Sequence, residues 1–486
     1  MLFNSYIFIL FFLPICLIGY FTINHFKQHT LAQAFILGMS LWFYGYFNPW
    51  YIFIIVGSII GNYLIYLGII KLKKNSGKKA KVLMIVGIIA NLALLGVFKY
   101  LDFMIANINA VLKTDLAFLK IALPLGISFF TFQQISFIVD SYREDIPKYN
   151  FIYYASFVAF FPQLIAGPIV SHDEMMPQFL DNTKKKINWE NMGQGIYIFV
   201  LGFAKKVLLA DTFNNAVEYG FLKYASLDSL SSILVMLAYT LQIYFDFSGY
   251  CDMAIGAAKM FNIDLPINFN SPYKALSIRE FWQRWHITLS RFLTKYIYIP
   301  LGGSRKGIVR TCINLFIIFL VSGLWHGAAW TFVFWGAAYG VLMIIERIFE
   351  KPLQKVHPAL KWLVTFTLVN VLWIFFRADS FSQATALVTK VFFWGYGPMH
   401  TELIKAFRTV EFTKIFSVFG LENHYPNICI ALYYTVSMLL ILGTSNSSER
   451  MKDFKFRGIR CFTTAFLFIW CLCSLTGINV FLYFNF

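Results

Sequence analysis

Residues 308 to 345 read IVRTCINLFIIFLVSGLWHGAAWTFVFWGAAYGVLMII. This stretch holds two apolar runs, about 308 to 324 and 328 to 345, each long enough to cross the hydrocarbon core of a bilayer. His326 lies where the two runs meet, in the sequence Gly-Leu-Trp-His-Gly. Because an ionisable side chain at membrane depth is costly, such a histidine is a functional-site candidate. The stretch therefore predicts membrane-spanning helices and chemistry within the membrane.

The whole chain has the composition of a membrane protein. Of its 486 residues, 58% are hydrophobic and 13% are charged, and the mean hydropathy is +0.63. We predict an all-α polytopic membrane protein with roughly 11 to 13 transmembrane helices, plus re-entrant and interfacial helices around a central tunnel. The apolar runs lie at about 5–22, 31–47, 50–70, 80–98, 118–139, 151–170, 191–209, 229–246, 308–324, 328–345, 361–377, 428–443 and 461–483.

The first apolar run resembles a signal peptide only in its hydrophobicity. It lacks a basic start and a small-residue cleavage site, so we interpret it as a retained helix. The net charge of +17 could indicate nucleic-acid binding, but the basic residues fall in short loops, as the positive-inside rule predicts. Two basic clusters mark cytoplasmic loops, and counting spans from them places both termini outside the cell (inner) membrane. The clusters are Lys71, Lys73, Lys74, Lys78, Lys79 and Lys81, and Arg450, Lys452, Lys455, Arg457 and Arg460.

The cysteines and most histidines show no ligand pattern. Seven cysteines lie mostly in apolar runs, without zinc spacing or a disulfide framework. We predict no metal site, because six of the eight histidines show no compact grouping. These six are His25, His29, His172, His357, His400 and His424.

No linker, low-complexity tract or repeat divides the chain, so we predict one membrane domain. Its flanking helices would lie at about 1–117, its catalytic core at about 118–345 and its C-terminal helices at about 346–486. The core concentrates Pro, Gly and charged residues, and such backbone is tolerated in a membrane only inside protein or around a water-filled cavity. Residues 123–133 predict a kinked, cavity-lining helix, and residues 161–169 predict a helix broken twice by a re-entrant turn.

Two acidic residues, Asp246 and Asp252, lie among aromatic residues. Carboxylates near a membrane need partners, and at a spacing of six they would need a break at Gly249 to share a helical face closely. The next polar segment, residues 268–305, is amphipathic and predicts an interfacial or partly inserted helix pair, with Trp282 and Trp285 at the boundary. The predicted partners of the carboxylates are Arg279, Arg284 or Arg291.

Four ordered motifs resemble those of the membrane-bound O-acyltransferases. They are YTLQIYFDFSGY at 239–250, FWQRWHITLS at 281–290, YIYIPLGG at 296–303 and LWHG at 324–327. The resemblance covers nearly the whole chain. It is nearer to the branch with the alginate and peptidoglycan O-acetyltransferase membrane subunits than to the related D-alanyl transferase of teichoic acid modification.

The resemblance implies a function and a set of site residues. It makes His326 the catalytic histidine and His286 a second polar position beside the tunnel. It implies acetyl-CoA as donor substrate, no bound cofactor, and an extracytoplasmic serine hydrolase-like partner that completes O-acetylation of a cell-surface polysaccharide. Residues predicted to line the tunnel are Asp246, Ser248, Asn270, Trp325 and Gln133.

The chemistry of acyl transfer to a hydroxyl fits a histidine. An alcohol is a poor nucleophile until its proton leaves, and a neutral imidazole can take that proton near neutral pH. We predict that His326 is this general base. His286 would bind the thioester carbonyl, orient the acceptor or only support the fold. Trp325 beside His326 is an interfacial anchor or, less simply, a stacking surface for substrate.

The donor and the acetyl group suggest further residues. Cations in loops would meet the donor's phosphates, with Lys295 and Arg305 preferred among five candidates. Tyr483 lies at the C-terminus, and a phenol ester keeps more transfer potential than a sugar ester because its leaving group has a pKa near 10. Tyr483 would therefore relay acetyl to the outside; the alternative is an aromatic anchor for the last helix. The other three cations are Lys205, Lys206 and Lys306.

Other functional classes remain open at this point. In a transporter or channel the same broken helices would form a permeation path, although no inverted repeat is evident. An enzyme that acylates a lipid or a protein would also use a buried histidine. The sequence does not distinguish alginate, peptidoglycan or another glycan as the acceptor.

Overall fold

The structure is a computed structural model that describes residues 1–393, 395–420, 425–475 and 481–482. All regular structure in these residues is helical, apart from one isolated antiparallel bridge between Phe269 and Trp285. This confirms the predicted all-α class. The chain forms two compact units, so its division into one domain with three parts stays a prediction.

The first unit comprises residues 1–200 and 250–267 of the described chain. Two sequence predictions for this unit concern helix breaks. Residues 161–169 do interrupt a helix, because α-helix ends at Ala159, one turn follows, and residues 165–171 are not helical. Its helices are Leu13–His25, His29–Gly45, Trp50–Asn75, Gly77–Leu95, Leu101–Leu112, Ile127–Arg143, Phe151–Ala159, Phe161–Leu164, His172–Leu180 and most of Trp189–Ala204.

The predicted kinked helix at 123–133 is wrong in detail. Gly126 adopts a left-handed conformation with φ 69° and caps a helix that begins at Ile127. A Cβ at this glycine would lie 2.8 Å from the carbonyl oxygen of Leu164, so both the backbone angle and the close approach require glycine. Pro124 and Gly126 therefore start a helix instead of kinking one, and the predicted span from 118 begins nine residues later.

The second unit comprises residues 201–249 and 268–482. The helix Ser229–Met260 contributes its first part, to Gly249, to this unit. That helix is continuous at Gly249, where the sequence analysis considered a break. The other helices are Asp211–Leu222, Ile278–Arg284, Ile287–Leu293, Gly307–His326, Trp330–Ile348, Glu350–Gln354, Pro358–Arg377, Phe381–Phe393, Thr401–Lys405, Val410–Val418, Tyr425–Gly443, Ser447–Lys452 and Gly458–Cys473.

Two glycines bring the helices Gly307–His326 and Trp330–Ile348 into close contact. A Cβ at Gly323 would collide with the carbonyl oxygen of Phe332, and a Cβ at Gly336 would collide with that of Phe319. Small residues let helix backbones approach in membranes. The glycine before His326 therefore sets how closely the histidine faces the next helix.

Eight helices in the described residues are long and apolar enough to cross a membrane. Several other predicted spans correspond to shorter helices, such as His29–Gly45, Ile127–Arg143 and Gly458–Cys473. The chain is thus a multi-pass membrane protein, while the orientation of its termini stays a prediction. The eight helices are Phe8–His25, Trp50–Asn75, Gly77–Leu112, Ser229–Met260, Gly307–His326, Trp330–Ile348, Pro358–Arg377 and Tyr425–Gly443.

Candidate active site

His326 is the last residue of the helix Gly307–His326 and is only 2% exposed. Aromatic rings surround its imidazole at centroid distances of 4.9 Å for Trp325, 5.2 Å for Trp335 and 5.2 Å for Phe376. Trp325 is itself buried, at 4% exposure, so its side chain packs against protein. Aromatic side chains therefore enclose the imidazole and exclude solvent from it.

His286 lies beside His326, although 40 residues separate them in the sequence. The two ring centroids are 6.4 Å apart, and the ring of Trp325 lies 5.9 Å from that of His286. His286 is fully buried, and its backbone is left-handed with φ 46° at the junction of two short helices. The left-handed region is uncommon for residues other than glycine, and histidine is among those that tolerate it best. The structure therefore brings both predicted histidines together.

Asn268 fixes the tautomer of His286. Its side-chain oxygen accepts hydrogen bonds from the backbone N–H of Thr288 at 3.2 Å and from the Thr288 hydroxyl at 2.9 Å. Since a backbone N–H can only donate, this atom of Asn268 is the oxygen, and Nδ1 of His286, 3.2 Å away, donates to it. Nδ1 therefore carries the proton, and Nε2 keeps its lone pair in the neutral ring.

Burial keeps the His286 ring neutral. His286 lies outside the eight candidate spans, and burial lowers its pKa from 6.5 to about 3. The neighbouring ring of Phe247, with its centroid 4.9 Å away, offers no compensating charge. Nε2 is thus an acceptor throughout the physiological pH range.

A short antiparallel pairing supports this histidine. Backbone N–H groups of Asn270 and Ile287 donate to the carbonyls of Arg284 and Asn268 at 2.9 and 3.1 Å. The Asn270 side chain, predicted to line the tunnel, accepts from the amide of Asn446 at 2.7 Å. These bonds hold the segment before the histidine against the segment that carries it.

The two tryptophans of the 281–290 motif are buried, so their predicted place at a membrane boundary is wrong. Trp282 is 6% and Trp285 is 1% exposed. Trp282 packs against Trp335 and Tyr339 at centroid distances of 5.6 and 5.1 Å. The two seven-residue helices of this segment pack against protein. An amphipathic sequence pattern shows that one helix face is apolar, but it does not show whether protein or lipid covers that face.

Buried donors accumulate near His326. The indole nitrogens of Trp282 and Trp335, the hydroxyl of Tyr339 and the hydroxyl of Ser322 have no hydrogen-bond partner within the described chain. Buried donors are nearly always satisfied in proteins, by water or ligand if not by protein. Trp335 contacts His326 directly, and Trp282 and Tyr339 contact Trp335.

Asp246 pairs with a lysine, and the predicted arginine partners are wrong. Its Oδ1 lies 2.7 Å from Nζ of Lys206, which also lies 2.8 Å from Oδ1 of Asp211. Arg284 instead pairs with Glu280 at 2.8 Å. The side chains of Lys206 and Asp246 are 2% and 3% exposed, so this is a buried ion cluster, named below the Lys206 cluster and defined by Lys206, Asp211 and Asp246.

The remaining predicted tunnel residues have different surroundings. Ser248 is 1% exposed, and its hydroxyl has no partner among the residues that the structure describes. Gln133 lies in the first unit, where its amide donates to the carbonyl of Phe157 at 2.7 Å. Tyr483 lies outside the described residues.

A cavity of about 860 Å³ lies within the second unit. Lys205, Asn446 and Arg450 provide polar wall, while aliphatic residues such as Val436 and Leu440 provide apolar wall. Nζ of Lys205 also donates to the Ser447 hydroxyl at 2.7 Å. The volume is typical of small-molecule sites.

The preferred donor-binding cations do not border this cavity. Lys295 lies over the ring of Tyr296 at 5.3 Å, and Arg305 is exposed. Of the five cations considered, Lys205 lines the cavity and Lys206 belongs to the ion cluster. The cations predicted to meet the donor's phosphates therefore have different surroundings in the structure.

One histidine that seemed isolated in the sequence has two carboxylate neighbours. His172 lies with Asp140 and Glu144 in a group whose ligand atoms are all within 4.8 Å of one another. Nδ1 of His172 faces Asp140 at 3.5 Å, and Nε2 faces Glu144 at 3.9 Å. One ligand atom from each of the three residues could be shared by a metal ion, so the absence of a metal site stays a prediction.

Sequence reasoning missed Asn268, Lys206 as an ion partner, and Trp335. Asn268 had one usable signal, since Asn268 and Asn270 precede a helix-breaking Pro272 at the start of the polar segment. Lys206 appeared only as a loop cation. Trp335 is one of 12 tryptophans in an aromatic-rich chain, and nothing in the sequence distinguishes it.

Comparison with known proteins gives a family and several relatives. Residues 89–381 match the model of the membrane-bound O-acyltransferase family. A peptidoglycan O-acetyltransferase of Helicobacter pylori is 44% identical over 414 residues, 79% of this chain and 78% of that protein. A probable alginate O-acetylase of Pseudomonas putida is 37% identical over 446 residues, 88% of this chain and 89% of that protein. A teichoic acid D-alanyltransferase of Bacillus subtilis is 27% identical over 258 residues, 50% of this chain and 65% of that protein.

Proposed function

This chain belongs to the membrane-bound O-acyltransferase family and is an acyltransferase, and from that premise we propose that it moves acetyl groups from cytosolic acetyl-CoA across the cell membrane for O-acetylation of a cell-surface polysaccharide. The observation that carries the proposal is the pair of buried histidines at 6.4 Å, one of which has a fixed tautomer. Peptidoglycan is the proposed polymer, because the similarity to the peptidoglycan O-acetyltransferase, at 44%, exceeds the 37% to the alginate O-acetylase.

The two histidines have different roles in the proposed reaction. His326 removes the proton from the attacking hydroxyl as its oxygen bonds to the thioester carbonyl carbon. The carbon–sulfur bond then breaks, and the proton on His326 passes to the leaving thiolate. His286 cannot donate to the thioester carbonyl, because its only proton is on Nδ1 and is bonded to Asn268. Its Nε2 instead accepts the hydrogen bond of the hydroxyl while the acceptor binds and so orients it; the same proton then turns to His326, which removes it as attack begins.

The buried donors near His326 complete this proposal. In the transition state the thioester carbonyl oxygen becomes negative, and oriented N–H or O–H groups stabilise it most in a site without water. The indole N–H of Trp335 is a buried donor against His326. We assign it to this oxygen, which would account for a donor with no protein acceptor.

The donor would occupy the cavity of about 860 Å³. Lys205 and Arg450 on its wall would meet the phosphates of acetyl-CoA, and the apolar wall suits the pantetheine chain. Tyr244, which lines the cavity, contacts Phe269 at 6.0 Å, and Phe269 contacts Phe247 at 5.0 Å. Phe247 is the ring that lies against His286, so a chain of aromatic contacts links the cavity wall to the histidines.

The acetyl group would leave the protein through a carrier. Tyr483 remains the proposed acceptor of acetyl from the donor, and a serine hydrolase-like partner outside the membrane would take it to the glycan. Both termini are proposed to lie outside the inner membrane. A tyrosine ester suits this role because its phenolate leaves more readily than a sugar alkoxide.

The test uses the full chain in lipid nanodiscs with isotopically labelled acetyl-CoA. We expect CoA release and label on the C-terminal peptide of the wild type. His326→Ala is expected to reduce both by about three orders of magnitude, as removal of a general base does. Trp335→Phe replaces the indole by a smaller aromatic ring without an N–H, and should lower kcat by about two orders of magnitude.

His25→Ala is the matched control, because His25 is an exposed histidine in the first unit. If His25→Ala and His326→Ala release CoA equally, His326 is not the base. Histidine-dependent CoA release with equal polymer acetylation in wild type and Tyr483→Phe would reject the relay and keep the enzyme. No CoA release with any glycan or partner would reject the proposed function.

A further inference from the structure

The Lys206 cluster holds the end of the described chain. The backbone N–H of Leu482 donates to Oδ2 of Asp246 at 2.9 Å, across 236 residues of sequence. The preceding ring, Phe481, lies over Nζ of Lys206 at 4.6 Å. Both Phe481 and Leu482 are buried, at 1% and 9% exposure. The chain after the last long helix, Gly458–Cys473, therefore returns to a buried charged site.

The charges of the cluster explain why a main-chain donor is needed there. One lysine faces two carboxylates, so the ionised cluster carries one excess negative charge. A buried carboxylate is stable only when its oxygens are paired or hydrogen-bonded. Lys206 meets Oδ1 of Asp246, and the N–H of Leu482 meets Oδ2. The C-terminal segment thus supplies a bond that the cluster itself lacks.

The cluster also borders the cavity. Asp211, which pairs with Lys206, lines the cavity, and so does Lys205, the neighbour of Lys206 in the chain. Asp211 is 16% exposed, whereas the other two side chains are 3% exposed or less. The cluster therefore reaches the cavity through Asp211, while Lys206 and Asp246 are buried.

We propose that the Lys206 cluster is a docking clamp that fixes Phe481 and Leu482, and that acetyl transfer to Tyr483, the next residue in the sequence, depends on this docking. This inference rests on the proposed function for its acyl-transfer step, while the docking itself does not. Asp246 and Lys206 are positioning residues in this proposal, since they act through the backbone at 481–482 and touch no reacting atom. The step they serve is attack of the Tyr483 oxygen on the thioester carbon, with loss of the phenolic proton to His326 and of CoA as the leaving thiol.

Hydrogen–deuterium exchange measures the docking without any activity. We expect the amide of Leu482 to be protected in the wild type, because it is bonded and buried. In Asp246→Ala the acceptor is gone, and exchange of the C-terminal peptide should become at least ten-fold faster. An unprotected Leu482 amide in the wild type would overturn the clamp, whatever the activity.

A second variant leaves the ion cluster intact. Leu482→Pro removes the N–H donor, and Leu482→Ala keeps it while trimming the side chain. We expect label on Tyr483 from acetyl-CoA to fall at least ten-fold in Leu482→Pro, and to be at least five-fold higher in Leu482→Ala than in the proline variant. Equal labelling in these two variants would overturn the positioning role.

The two proposals fail differently. If the wild type protects Leu482 but releases no CoA with any acceptor, the proposed function is wrong, and with it the acyl-transfer part of the clamp. If the wild type releases CoA and labels Tyr483, but Asp246→Ala labels it equally well, the enzyme stands and the clamp is wrong. Faster exchange together with lost labelling in Asp246→Ala and Leu482→Pro is the expected result.

Discussion

Two buried polar regions of the second unit compensate the free-energy cost of burying ionisable side chains in opposite ways. Around His286 and His326 the neighbours are aromatic rings, and the bonded partner of His286 is a neutral amide. Around Asp246 the partners are a lysine and a backbone N–H. The first region keeps His286 neutral, whereas the second pairs a carboxylate with a lysine.

The difference follows from what each region must do. A base has to offer a lone pair, so its environment must disfavour the protonated form, as burial without a counter-charge does. A docking site has to hold its geometry, and charge-assisted hydrogen bonds are shorter and stronger than neutral ones. Neutral burial suits proton transfer, and paired burial suits placement.

The largest expected effect on kcat comes from removing the neutral imidazole of His286. His286→Ala should lower kcat by about two to four orders of magnitude, in the range for a group that handles the transferred proton. The pKa of His286 is about 3, so this residue stays neutral from pH 5 to 8 and cannot cause a pH dependence there. The pH profile of the residual activity should therefore keep the midpoint of the wild type. A shifted midpoint would show that His286 titrates in the functional range.

The second effect concerns stability and the charged region. Lys206→Met leaves the buried carboxylates of Asp211 and Asp246 without their lysine, and an uncompensated buried charge costs about 3 kcal/mol or more. Lys259→Met is the matched control, because Lys259 pairs with Asp264 at 2.6 Å, but Asp264 is 55% exposed and keeps Lys184 at 3.2 Å. Exposed pairs contribute about 0 to 1 kcal/mol. Thermal unfolding in detergent should show a clearly lower Tm for Lys206→Met only, and equal shifts would remove the distinction between the regions.

The third effect comes from placing a charge in the neutral region. Asn268→Asp keeps an acceptor for Nδ1 of His286 but adds a negative charge, which stabilises the imidazolium and raises the pKa of His286. As pH falls through this raised pKa, Nε2 becomes protonated and stops accepting. Activity should therefore be lost on the acidic side and return at higher pH, with a pH 8 to pH 6 ratio about ten-fold above that of the wild type. A flat ratio would mean that Nε2 of His286 takes no part.

Both histidines could be predicted as candidates from the sequence, but their contact and its support could not. His326 is a candidate because an ionisable group at membrane depth is costly, and His286 is a candidate through the family resemblance. Asn268 contacts His286 because the backbone at 268–270 pairs with that at 284–287, a tertiary arrangement with no sequence period. The same limit explains Trp282 and Trp285, since amphipathic spacing identifies an apolar face but not what covers it.

The charge of Asp246 predicts that a cation pairs with it, but not which cation. The cost of an isolated carboxylate correctly predicts that a cation pairs with it. Three arginines from the nearby polar segment were equally plausible, and Lys206, 40 residues earlier, is the partner. Lys206 lies in a π-helical turn, Lys205–Ala210, and such turns often occur at functional sites. Neither this turn nor the return of Leu482 to Asp246 has a sequence signature.

The smallest expected effect concerns the cavity and tests whether charge there serves binding alone. Lys205→Met and Arg450→Met each remove one cation from the wall, and each should raise KM for acetyl-CoA about ten-fold, or ~1.4 kcal/mol. Their kcat should stay within about two-fold of the wild type, because a contact made equally in ground and transition states changes KM only. Lys351→Met, at an exposed lysine outside the cavity wall, controls for the loss of net positive charge. A variant that lowers kcat instead would show that the lost cation acts in the chemical step, as the histidines do. An unchanged KM in both variants would show that acetyl-CoA binds elsewhere and that the cavity holds another amphiphile, such as a lipid.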